Sequence, residues 1–324
     1  MAPWTHLVHL VAEEDGQPYY ARCTATTVPQ VGEKVETFES VAALEAAAAD
    51  GTTTPDRHVV RELLPPAAAN VPIICIGLNY ANHAQEASLE IPQSPPMWYK
   101  PPSALTGPGP IPIPPSAQTH FLDYEGELTI ITGARPAKDL SVADAAAYIL
   151  GYAVGNDLTA RYWQAPSLQA GQFTYAKAFD AFAPLGVVVA HPDVLGLGVG
   201  VGVASRSNSS SIKEGSKEGS EREGEGEGNG EGASNGEGLK PPRISTRVNG
   251  KLVQASALDL LRGPAELLSF LSQGRTVPAG TAIMTGTPAG VGWFQRPRSS
   301  LRDGDVVEVA IEGVGSLRNV MVFE

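Results

Sequence analysis

The chain has 324 residues, two cysteines and a formal net charge of −12, with a pI near 5.0. That length can bury a full core, the acidity leaves no general attraction for nucleic acid or an anionic membrane, and Cys23 and Cys75 are too few for a disulfide scaffold. With no 18-residue apolar span and no basic leader, a cytoplasmic setting is expected.

Residues 1–70 read as a small β-rich N-terminal extension. His6-Leu-Val-His-Leu-Val starts like a strand, Asp15-Gly16 marks a turn, Tyr19-Tyr20 sits in a second strand, and Val41 to Ala49 forms an Ala-rich helix. Over residues 71–324 short β-branched runs alternate with Gly and Pro: Ile73-Ile-Cys-Ile, Glu127-Leu-Thr-Ile-Ile, Leu185-Gly-Val-Val-Val, Ile244-Ser-Thr-Arg-Val, Thr281-Ala-Ile-Met-Thr and Asp305-Val-Val-Glu-Val-Ala-Ile. This pattern predicts a mostly β, α+β domain with a handful of helices. The clearest helices are Ala143 to Ile149 and Gly263 to Leu271, the second with Pro264 in its first turn. From about 205 to 240 the Gly/Ser/Glu-rich composition cannot bury enough apolar surface to offset chain entropy, so a disordered insertion is expected there.

Chemistry concentrates in Asp123-Tyr-Glu-Gly-Glu-Leu128. Glu125 and Glu127 stand two apart at the start of a strand and so project from one side. Two carboxylates on one face resist joint ionisation unless a cation lies between them, although an isolated Glu-x-Glu also suits a solvated edge strand. A third carboxylate, Asp157, ends another apolar run. Three oxygen donors with no Cys or His at similar spacing suit Mg²⁺, Mn²⁺ or Ca²⁺ better than Zn²⁺.

His83 and Glu86, three apart, share one face of a helical turn. Glu can orient a His that takes a proton from water; the same spacing serves a surface ion pair. Arg161 and Gln164 follow Asp157 at steps of four and three, so one helical turn would align both with it. Arg161 then either clamps a substrate carboxylate or neutralises Asp157. Lys177 either stabilises an enolate or pairs with Asp180. Thr285-Gly-Thr-Pro-Ala-Gly-Val-Gly292 lets backbone amides approach a ligand closely, or is a plain turn; it fits no nucleotide motif. Trp98, Tyr162 and Trp163 are the aromatic candidates for a pocket wall.

In order, Gly77-Leu-Asn-Tyr-Ala-Asn-His-Ala-Gln-Glu86, Lys100-Pro-Pro-Ser-Ala-Leu-Thr-Gly107, Asp123 to Leu128, Gly155-Asn-Asp-Leu-Thr-Ala-Arg161, Lys177-Ala-Phe-Asp180, Thr246-Arg-Val-Asn-Gly250, Gly286-Thr-Pro-Ala-Gly290 and Gly304-Asp-Val-Val-Glu308 resemble the fumarylacetoacetate hydrolase family. The resemblance is to its small acylpyruvate hydrolase and oxaloacetate decarboxylase members. It implies a distorted, β-barrel-like fold, a homodimer, and Mg²⁺ or Mn²⁺ on Glu125, Glu127 and Asp157. It also implies a water-activating pair, His83 and Glu86, on a lid, with Lys177 beside the metal and Arg161, Gln164 and Thr287 near the substrate. The expected reaction is cleavage of a C–C bond in a small oxo-acid. Oxaloacetate decarboxylation and hydroxymuconate-type isomerisation are the alternatives, and a non-catalytic metabolite-binding protein is the reading from another class.

Overall fold

The computed structural model describes residues 3–50, 55–197 and 241–324; the segment expected to be disordered lies outside them. Nine strands run in one path through the larger sheet. Their order is Lys34–Thr37, Asp56–Leu64, His6–Ala12, Val188–Ala190, Ile149–Asn156, Gly126–Thr132, Ala282–Met284, Ile73–Ile76 and Met97–Lys100, with Pro18–Cys23 pairing beside His6–Ala12 as the tenth. A five-stranded sheet runs Lys251–Ala257, Arg243–Val248, Val306–Ile311, Gly315–Phe323 and Gly109–Ile113. Neither closes into a barrel among the described residues. The strand-dominated α+β class expected from the punctuated β-branched runs is what forms.

The run Glu127-Leu-Thr-Ile-Ile explains why Gly126–Thr132 is central. Every residue of that strand is buried, as a strand covered on both faces requires. Side chains alternate, so Ile130 joins the core shared with Ile244 and Val309 of the smaller sheet, while Ile131 joins Leu7, Phe38, Leu44 and Val189 on the opposite face. The N-terminal strand is hydrogen-bonded into this sheet, His6–Ala12 lying antiparallel to Val188–Ala190.

Two of the three expected helices form nearly as read, Val41–Asp50 and Pro264–Ser272. Pro264 takes the first turn, where its missing N–H costs nothing, and Glu266 accepts a hydrogen bond from the Gly263 N–H at 2.7 Å. The third is shorter than expected. Val142–Ala145 is helical and Ala146–Tyr148 a 3-10 turn, but Ile149 already begins a strand, because its β-branched side chain enters the core.

Gly151 shows how tightly the sheet is built. A Cβ there would lie 2.3 Å from the Ala190 carbonyl oxygen and 2.6 Å from Val189 Cγ1. Gly151→Ala is therefore expected to cost about 1–3 kcal/mol, read as a lower urea midpoint with an unchanged slope. An unchanged midpoint would mean that the strands separate without cost.

Candidate active site

Three buried carboxylates meet at the ends of two central strands. Gly126–Thr132 pairs antiparallel with Ile149–Asn156, Gly126 opposite Asn156. Glu125 just before one strand and Asp157 just after the other are thus neighbours. The Asp157 N–H donates to the Glu125 carbonyl at 2.8 Å, and the Glu125 N–H to Asn156 Oδ1 at 2.9 Å. Glu127 reaches the same point, as alternation requires. One carboxylate oxygen from each of Glu125, Glu127 and Asp157 lies within 4.8 Å of the others.

Cationic side chains surround this group. Lys177 Nζ lies 2.9 Å from Glu125 Oε2 and 2.6 Å from Asp157 Oδ2, so it bridges the two carboxylates instead of pairing with Asp180. Arg161 donates from Nε to Asp123 Oδ2 at 2.8 Å, and its Nη2 lies 2.6 Å from Glu125 Oε1 in an ion-pair contact without hydrogen-bond alignment. Pairing of Arg161 with Asp157 is thus not what forms. Thr159–Ala160 is a short strand, and the 3-10 turn that holds both Arg161 and Gln164 starts only at Arg161, so Asp157 does not share a helical turn with them. Lys100 Nζ is 2.5 Å from Asp157 Oδ1, also an unaligned ion pair, and donates to the Leu158 and Phe182 carbonyls.

Four carboxylates, counting Asp123, therefore face three cationic side chains, and Glu127 is the one without a basic partner among the described residues. Burial pushes the Glu125 carboxyl up, but Arg161, Lys177 and His83 outweigh it and hold it at about 2. Glu127 goes the other way. Burial first, then Asp157 and Glu125, raise it well above its usual range, and the Gly286 N–H donating at 2.7 Å offsets only part of this. A buried, oxygen-only donor set with one uncompensated carboxylate fits a hard divalent cation.

His83 and Glu86 lie on the helix Ala81–Ala87, with His83 Nδ1 3.2 Å from Glu86 Oε2. The pair is tied to the loop after Ala282–Met284. Gly290 N–H donates to Glu86 Oε1 at 2.9 Å, and Ala289 N–H to Asn82 Oδ1 at 3.2 Å. The Thr285–Gly292 loop does bring backbone amides close, but onto Glu127 and Glu86, the protein's own carboxylates. Gly290 has φ 110°, and a Cβ would sit 2.2 Å from the Val253 carbonyl oxygen, so only glycine fits. Thr287 is buried, donating to the Gly126 carbonyl and accepting from Gln254 Nε2 at 2.8 Å.

Gln164 and Arg161 line a cavity of about 210 Å³ with Tyr162, Ala165, Trp293 and Phe294. Trp163 instead stacks on His120, and Trp98 lies under Lys177 Nζ at 4.8 Å. Reading residue by residue missed the contributions of Lys100, Asp123, Gln254 and Trp293. Lys100 lies in a Lys-Pro-Pro segment remote from the carboxylates, and Asp123 carries a signal only as a third acid beside Glu125 and Glu127.

A strand-rich chain with two large sheets, a buried carboxylate triad and an adjacent His–Glu pair has the outline of a hydrolytic or enolising enzyme. The family model for the fumarylacetoacetate (FAA) hydrolase C-terminal domain matches residues 72–322; the chain belongs to the fumarylacetoacetate hydrolase family of enzymes. It is 36% identical to oxaloacetate tautomerase YisK of Bacillus subtilis over 76% of this chain and 68% of that protein. It is 29% identical to caffeoylpyruvate hydrolase of Neonothopanus nambi over 100% of this chain and 96% of that one. Among solved structures, fumarylpyruvate hydrolase from Pseudomonas aeruginosa in complex with Mn²⁺ and pyruvate is similar at TM-score 0.57 and 25% identity, covering 81% of this chain and 92% of that one. No helix among the described residues is long and apolar enough to cross a membrane.

Proposed function

We propose that this protein is a divalent-metal-dependent hydrolase that cleaves the C–C bond of an acylpyruvate, a 2,4-dioxo acid, into pyruvate and a carboxylic acid. The observation that carries this reading is the His83–Glu86 pair held against a buried triad of oxygen donors. Glu125, Glu127 and Asp157 would hold Mg²⁺ or Mn²⁺, which when bound supplies Lewis-acid polarisation of the 2-oxo acid. Glu86, fixed by the Gly290 amide, orients the imidazole through Nδ1 and leaves Nε2 to take a proton from water. That water attacks the distal carbonyl, and the bond between it and the methylene carbon breaks. The electron pair passes to the departing pyruvate as an enolate, Lys177 offsets the developing charge, and the proton on His83 returns to the methylene carbon. Lys177, Arg161 and Lys100 hold the carboxylates in place in the meantime.

The test is pyruvate release from acetylpyruvate and from oxaloacetate, with Mg²⁺, with Mn²⁺ and after chelation. Release from acetylpyruvate is expected to fall at least about 100-fold on chelation and to recover with either ion. The likeness to oxaloacetate tautomerase YisK favours a second reading, in which His83 moves a proton at the oxaloacetate methylene and no water is consumed. Decay of enol absorbance from oxaloacetate without pyruvate release from either acid would select it, while pyruvate from oxaloacetate alone would mark a decarboxylase.

A further inference from the structure

The aromatic side chains beside the acidic cluster take no part in proton transfer, yet they form one connected wall. Trp293 meets Phe121 edge to face at 5.0 Å and Tyr162 at 5.3 Å. The Arg298 guanidinium covers the Trp293 ring at 3.7 Å. This wall is fixed from within the site. Asp123 Oδ2, which holds Arg161, also accepts the Trp293 N–H at 3.0 Å, and Oδ1 accepts that of Gly292 at 2.8 Å. Phe121 has φ 58°, sparsely populated for a bulky side chain, and its carbonyl accepts the Arg161 N–H at 3.0 Å. Strain of this kind persists where surrounding contacts demand it.

The cavity that Tyr162, Trp293 and Phe294 line, about 210 Å³, exceeds the roughly 150 Å³ of an apolar cavity that accommodates benzene. Two of its lining residues adjoin the two halves of the site. Arg161 lies 2.6 Å from Glu125, and the Phe294 ring centroid is 6.1 Å from that of His83. Charge then decides what enters. The Arg161 guanidinium is already offset by Asp123 and Glu125, so a second substrate carboxylate gains little from it. A flat uncharged ring gains apolar burial and edge-to-face contact.

We infer that this cavity is the subsite for the acyl substituent and selects a planar aromatic group there over a methyl or a carboxylate-ended chain. The inference rests on the hydrolase reading for placing the scissile carbonyl beside His83. The test compares kcat/KM for benzoylpyruvate, acetylpyruvate and fumarylpyruvate with the metal-loaded enzyme. Benzoylpyruvate is expected to exceed both others at least about tenfold. Tyr162→Ala, at an exposed position, and Trp293→Ala are each expected to shrink the benzoyl-to-acetyl ratio several-fold, and Trp293→Phe to retain most of it. Equal kcat/KM values in the wild type, or a ratio unmoved in Tyr162→Ala, would overturn the subsite. If no dioxo acid is cleaved, the hydrolase reading falls by itself. The subsite is then read by calorimetry with 4-phenyl-2-oxobutanoate against 2-oxobutanoate: tighter phenyl binding that Tyr162→Ala removes supports it, and equal affinities reject it.

Discussion

His83→Ala is expected to lower kcat on acetylpyruvate by about 10²–10⁴-fold, the contribution of one positioned general base. Divalent-metal binding, followed by calorimetry, should stay within about twofold, because His83 supplies no donor to the carboxylate cluster. Removing the imidazole deletes the group that Glu86 orients through its Oε2. It also leaves Glu86 with its bond from the Gly290 amide, so the loop over the site stays anchored. A lost interaction of this kind, made in the transition state, lowers kcat and kcat/KM together. Full activity in the variant would remove His83 from the mechanism, and loss of metal binding would make it a structural residue.

The second large effect is on the fold itself. Asp157→Ala removes the carboxylate that faces both Lys177 and Lys100, at a site where all three side chains are almost wholly buried. An orphaned buried charge is costly, and a loss of about 3–5 kcal/mol is expected, measured by urea unfolding. Lys100 has no other carboxylate partner among the described residues, whereas Lys177 keeps Glu125. Lys100→Met in the Asp157→Ala background should therefore recover a good part of that loss, and the double-mutant cycle should give a clear coupling energy. Additive effects would show that Asp157 and Lys100 do not support one another.

The family assignment brings enzyme chemistry to this chain. On the proposed mechanism stability and chemistry share groups: Asp123 holds Arg161 and the Trp293 backbone together, and Gly290 serves the Glu86 carboxylate while its carbonyl accepts the Tyr124 hydroxyl at 2.9 Å. A substitution at either position would act on both.

Local periodicity was enough to read the arrangement within each element. Strand alternation brings Glu125 and Glu127 to one point, and the three-residue step sets His83 against Glu86, because backbone geometry dictates both regardless of context. The apolar runs and the Pro264 signal likewise marked the central strand and the helix Pro264–Ser272. What joins distant segments was left to the tertiary structure. Arg161 turned to Asp123 and Glu125, Lys100 reached Asp157, and Trp293 was drawn to Asp123, each through strand pairing and loop closure across 36 to 170 residues. Charge pairing inside a core follows which carboxylate the register delivers. Spacing along the chain carries no record of that register, so the acidic pair and the His–Glu pair were legible in the sequence while their counter-ions and the aromatic wall were decided only by the fold.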